Sequence, residues 1–175
     1  MPTETRPAFS LQRVILIDSY RPSSIEEIRV DDHAAITGDN GSGKTTLLRV
    51  IPVFYGEQPS RVVRKDGDQE GFVRHYLPSI SSYLVFEYRR HDVLLLAVVH
   101  SGSNPEKASY QFIDSPYRKE FFVQADGTFV PASQLKRHVE SLSVSITETL
   151  GFEAYRQIIQ IHPSREYARY AAHYF

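Results

Sequence analysis

Cysteine is absent from the 175 residues, which excludes a disulfide framework and a thiolate metal site and suits a cytoplasmic setting. No apolar run reaches the roughly 18 residues that a membrane-spanning helix needs, and Met1-Pro2-Thr3-Glu4-Thr5-Arg6 lacks the pattern of a secretory signal. An excess of charge of either sign is missing too. Twenty Lys and Arg stand against 21 Asp and Glu, a net charge of −1, so no global basic field points to nucleic acid, and any contact would need a local patch or a partner. Internal repeats and low-complexity tracts do not occur. The seven histidines are scattered, with no i,i+4 pair and no acid at ligand spacing, which argues against a zinc site. What remains is ordinary for a soluble globular chain: 41% hydrophobic and 23% charged residues, in a length that suits one domain and not two.

Against that plain background stands one dense piece of chemistry. Gly38-Asp39-Asn40-Gly41-Ser42-Gly43-Lys44-Thr45 reads G-x-x-x-x-G-K-T, a complete phosphate-binding loop. The glycines let backbone N–H groups wrap a phosphate, and the helix that follows points its positive end at the same charge. The context fits the motif, because the apolar stretch His33-Ala34-Ala35-Ile36-Thr37 precedes it and Thr46-Leu47-Leu48-Arg49-Val50-Ile51 follows with a helical pattern. The expected nucleotide-binding residues are therefore Asp39, Asn40, Gly41, Ser42, Gly43, Lys44, Thr45 and Thr46. Lys44 is expected to reach the β- and γ-phosphates, and the Thr45 hydroxyl to ligate Mg²⁺.

Around the loop the chain reads as α/β. Residues 1–10 form a polar, flexible lead. Strands are expected at Val14–Ile17 and, with a bulge, at Ile25–Val30. The helix after Lys44 is expected to kink or end at Pro52. Residues 57–71 read as a surface loop, and a short helix runs through Phe72–Tyr76. Ser82–Tyr88 and Val93–Val99 then form an antiparallel hairpin. Weaker strands follow at Ala108–Ile113 and Phe121–Val123, with a turn at Asp126-Gly127. The last third turns helical: one helix from Ala132 to Glu140, one with Phe152, Tyr155, Ile158 and Ile159 on a single face, and one from Ser164 onward whose Tyr167, Tyr170 and Tyr174 form a packing stripe.

Several further readings are open at this stage. Arg61, Arg64 and Lys65 could touch phosphate through forked donors, but their acidic neighbours Asp66 and Asp68 favour a solvated loop. Ser101–Pro105 is a turn and not a nucleophile elbow, since G-x-S-x-G is lacking. An acid at the end of a second apolar strand, needed to hold Mg²⁺ and position water, is not found after Val99. Glu87 superficially fits, but its strand continues into Tyr88 and the alternation predicts a solvent-facing side chain. A Leu-Ser-Gly-Gly signature and an Asn-Lys-x-Asp guanine motif are both missing. The sequence therefore reads as half of an active site.

Thr37 to Leu48, together with Ile51-Pro52-Val53-Phe54-Tyr55-Gly56 and the segment from Tyr76 to Tyr88, resembles the N-terminal half of an SMC-type ATPase head. The resemblance is to the bacterial MukB-like branch, which includes MksB and the JetC subunit of Wadjet plasmid-defence systems, and it covers most of residues 11–160. It implies a P-loop NTPase lobe over residues 11–175 with a mixed sheet, an antiparallel β subdomain and C-terminal helices. It also implies a piece that stops before a long coiled coil. The missing signature motif and Mg²⁺-binding acid would come from a C-terminal half-head of the same protein, and two such heads would sandwich ATP as a homodimer. Kleisin-type and accessory subunits and DNA would be met through the assembled complex, with no membrane involved. Such heads carry a glutamine that senses Mg²⁺ and the γ-phosphate. Gln160 is the first candidate and Gln157 the second, against the plain reading of a polar helix end. By the same analogy Arg13, ahead of the first strand, could lie near adenine. The implied activity is ATP binding with little or no turnover by this chain alone. A self-contained small P-loop phosphotransferase, relying on Glu87, and a non-hydrolysing nucleotide switch are the alternatives.

Overall fold

The computed structural model describes residues 9–19, 21–30, 49–62, 71–101 and 107–160. Five strands form one sheet in the order β2-β1-β3-β4-β5. They are β1 (Phe9–Ile17), β2 (Ile25–Arg29), β3 (Tyr83–Arg90), β4 (Val93–His100) and β5 (Ser109–Ile113). Every pairing among them is antiparallel. The strand expected at 33–37, and with it the mixed character of the sheet, lies outside the described residues.

Both faces of the sheet are covered, which explains why β4 reads as an almost continuous apolar run and not as an alternation. On one face Leu84, Phe86 and Tyr88 of β3 pack with Leu95, Ala97 and Val99 of β4 against three short helices. These are α1 (Ile51–Phe54), α3 (Phe72–Tyr76) and α5 (Phe152–Gln160). On the other face Ile15, Ile17, Tyr83, Val85, Leu96 and Val98 meet Phe121, Phe122, Leu135 and Val139. That second cover includes α4 (Leu135–Ser141). The helix α2 (Pro59–Val62) buries nothing. Each fully buried Phe, Leu or Ile contributes about 1.5–3 kcal/mol, so these two layers and not local propensity hold the sheet together.

Several local expectations change in the folded chain. β1 begins at Phe9, which pairs with Arg90 while Ser10 pairs with Arg89. The flexible lead therefore does not extend to residue 10, because the long β3 offers partners that far. The bulge falls in β1 at Gln12, between the Leu11 and Arg13 registers, and not in β2. Its carbonyl is satisfied by the N–H of Val30 at 2.9 Å. The helix expected after Lys44 lies outside the described residues, so the effect expected of Pro52 on it is not seen. Pro52 stands in the first turn of α1, where its missing N–H costs nothing. Phe121–Val123 is not a strand: Lys119–Phe121 is a 3₁₀ turn, with Val123 bridging Phe129 alone. Two consecutive buried rings, Phe121 and Phe122, cannot both face inward on a strand. The helix expected from Ala132 opens as a 3₁₀ turn over Ala132–Gln134 before α4. The turn at Asp126-Gly127 forms as expected, with Gly127 at φ +86°.

Candidate functional site

The expected phosphate-binding loop, Asp39 to Thr46, lies outside the described residues. Its frame does not. The chain emerges from it through a turn at Arg49-Val50 into α1, and Val50, Val53 and Phe54 are fully buried. The Phe54 ring packs 5.5 Å from that of Phe86 and 5.4 Å from that of Tyr88. The segment downstream of the loop is thus clamped to the central strand of the sheet.

α5 is bound to the same place. The Tyr155 hydroxyl donates to the Phe54 carbonyl at 2.7 Å, across 101 residues of sequence. One helical turn on, the Gln160 Nε2 donates to the Tyr55 carbonyl at 3.1 Å, across 105 residues. Gln160 Oε1 accepts from Arg156 Nε at 2.8 Å, which pre-orients the amide. Gly56, at φ +93°, sits directly beneath; a Cβ there would stand 2.8 Å from Gln160 Nε2. Gln157 is exposed on the same helix. Of the two candidate glutamines, Gln160 is the one that the fold carries to the segment following the loop. Its Oε1 keeps a second lone pair beyond the one given to the cationic Arg156, while Thr45, the other expected Mg²⁺ ligand, lies outside the described residues.

Glu87 contradicts its sequence expectation. It is 6% exposed, and both of its oxygens are engaged. Arg13 Nε donates to Oε1 at 3.2 Å, and Arg13 Nη2 donates to Oε2 at 2.9 Å. The Tyr117 N–H also donates to Oε2, at 2.8 Å. The alternation was read correctly, but the face it points to is covered by Tyr117 and not by water. Arg13 is likewise within β1 and not ahead of it. Its remaining Nη1 donates to Glu27 at 3.2 Å, and its guanidinium lies 5.1 Å from the Tyr117 ring centre. Burial alone would lower the Arg13 pKa; the hydrogen bond and charge of Glu87, with Glu27 adding, outweigh it and raise the pKa above its ordinary value. Burial, with the Glu27 charge adding, pushes the Tyr117 phenol up to about 12. This Arg13–Glu87–Tyr117 cluster was not recognised in the sequence. Its only signal there is a charge inside an otherwise apolar strand, at positions 13 and 87.

The other candidates resolve simply. Arg61 lies on α2, a short helix where a surface loop was expected, with its side chain 73% exposed and an ion pair to Glu57 at 3.6 Å; Arg64 and Lys65 lie outside the described residues. Among the described residues no group of three or more His, Asp or Glu could hold a metal ion. No described helix is long and apolar enough to cross a membrane.

Residues 15–173 match the family model described as "Protein of unknown function (DUF3584)". The match runs from the middle of β1 to within two residues of Phe175, so it takes in the phosphate loop, the sheet and α5 together. The chain belongs to the DUF3584 family. That family is associated with RecF/RecN/SMC-like proteins. No curated protein and no solved structure matches the chain.

Proposed function

We propose that this chain is the ATP-binding N-terminal lobe of an SMC-like DNA motor head of the MukB-like branch. The observation that carries this reading is the complete phosphate loop from Gly38 to Thr45. Support comes from the downstream segment anchored in the core, and from Gln160 held against its end. Membership of a family associated with RecF/RecN/SMC-like proteins points the same way. In this reading the backbone N–H groups of residues 39–45 wrap the phosphates and Lys44 neutralises their charge. Thr45 and Gln160 supply oxygens to Mg²⁺, which would offset charge on the β- and γ-phosphates.

A general base is not assigned to this chain. Glu87, the candidate acid of a self-contained phosphotransferase, is held by Arg13 and the Tyr117 N–H, so that alternative lacks its acid. The signature motif and catalytic acid would come from a C-terminal half-head. Engagement of two heads, with kleisin-type and accessory subunits, would drive DNA loop extrusion or entrapment in the cytoplasm, in chromosome organisation or plasmid defence.

The test is ATP binding and steady-state turnover by this chain, with Lys44→Ala as the control. Binding that is lost in Lys44→Ala, without turnover above background, is the expected result. Multiple turnover that depends on Lys44 would instead identify a complete enzyme and overturn the half-site.

A further inference from the structure

At the end of the sheet where the second core stops, a cleft of about 280 Å³ is lined by Gln12, Arg13, Arg29, Glu87, Arg89 and Leu94. Strand register assembles it. Arg29 of β2 stands opposite Arg13 of β1, and Arg13 stands opposite Glu87 of β3. Arg89 lies two residues further along β3, opposite Leu94 of β4. Three guanidinium groups from three adjacent strands thus line the cleft with the Glu87 carboxylate, and Glu27 pairs with Arg13 beside it, in a chain whose overall charge is −1.

Two features set this rim apart. Like charges directly opposite each other on paired strands repel, and Arg13 and Arg29 are such a pair. Arg13 spends all three of its nitrogens on Glu87 and Glu27, whereas Arg29 and Arg89 have no hydrogen-bond or ion-pair partner in the structure among the described residues. Two unspent guanidinium groups therefore line the cleft beside a third that is held by Glu87 and Glu27.

We propose that this cleft is an anion site that binds phosphate groups through Arg29 and Arg89. A guanidinium fork suits tetrahedral oxyanions with several acceptor oxygens. Among the described residues Leu94 is the only apolar one lining the cleft, so these offer little to a ligand recognised by hydrocarbon. None of the cleft's described lining residues belongs to the segment Gly38–Thr45, and the proposal does not depend on that segment binding nucleotide. The phosphate could belong to a nucleic-acid backbone or to a free polyphosphate, and the two sources are separable.

The experiment uses the whole chain carrying Lys44→Ala, so that the phosphate loop does not contribute. Pyrophosphate is titrated by calorimetry, and a short fluorescent DNA duplex by anisotropy across a salt series. The same titrations are made with Arg29→Glu/Arg89→Glu and with Arg61→Glu as an exposed control. The double reversal is expected to weaken binding by at least about tenfold, the worth of one charged hydrogen bond, while the control stays near the parent. Loss for DNA, with a salt slope shallower by about 1 per lost phosphate contact, assigns the backbone as the source. Loss for pyrophosphate alone assigns a free polyphosphate. Should the reversal disturb folding, Arg29→Lys/Arg89→Lys keeps the charge but not the fork, and an affinity reduced below the parent upholds the site. Parent-like affinity for both probes in a folded reversal variant overturns it.

Discussion

Gly56 is the residue on which the loop's frame turns. Its φ of +93° is a conformation that L side chains adopt only at a cost of roughly 1–2 kcal/mol. The neighbour that a Cβ would meet is the far end of the flexible Gln160 side chain, which can swing aside. Gly56→Ala is therefore expected to destabilise the fold by about 1–2 kcal/mol, through the backbone and not through the contact. Urea denaturation of Gly56→Ala with and without Gln160→Ala separates the two causes. An undiminished loss in the double variant is expected, and a loss that disappears there would place the cost in the side-chain contact instead. Residue identity made Gly56 legible only as a turn. That it lies under Gln160 depends on where α5 ends in space.

Among the elements, the β3–β4 hairpin was the most legible, because two β-branched and aromatic runs flank a short polar link. The link proves tighter than expected: Arg90 pairs with Val93, leaving only His91 and Asp92 in the turn. A two-residue hairpin needs positive φ in at least its first position to match the strand twist, and His91 accordingly stands at φ +54°. Glycine carries no steric cost there but loses more entropy on folding. The balance predicts that His91→Gly raises stability by up to about 1 kcal/mol, seen as a higher urea midpoint at unchanged slope. A lower midpoint would mean that the histidine ring makes contacts that matter. The weaker elements were misread where periodicity is shortest. Phe121-Phe122 looks like strand sequence, but both rings are needed in one core, and only a 3₁₀ turn delivers both.

For the molecule as a whole, the two-sided burial of the sheet carries a pH consequence. His100, at the end of β4, is 3% exposed; its Nε2 lies 2.8 Å from Gln111 Oε1, while its Nδ1 is buried without a partner. Burial lowers its pKa below the ordinary histidine value, a shift that the hydrogen bond to Gln111 only partly opposes. The unfolded chain therefore binds this proton first. Stability from His100 is complete above about pH 6.5 and falls as the pH drops from there toward the depressed folded value. Its slope is at most about 1.4 kcal/mol per pH unit. Denaturation of the parent and of His100→Gln between about pH 8 and pH 5 should show this acid-side slope only in the parent. Equal slopes would assign the acid sensitivity to other groups.

The phosphate loop, the hairpin and the apolar faces of α5 are contiguous or periodic, so the chain's order alone determines them. The motif is legible because its glycines, lysine and threonine stand within eight residues. What only the tertiary structure decided joins distant residues through strand register and packing. Register set Arg13 against Glu87 across 74 residues and lined up Arg29 and Arg89 at one rim. The cover of the second face turned Glu87 from an exposed acid into a buried partner. Packing of α5 on α1 brought Gln160, and not Gln157, to the Tyr55 carbonyl. A strand residue points to one side or the other by its parity, but whether that side meets water, a tyrosine or an arginine is set by the elements that close over it.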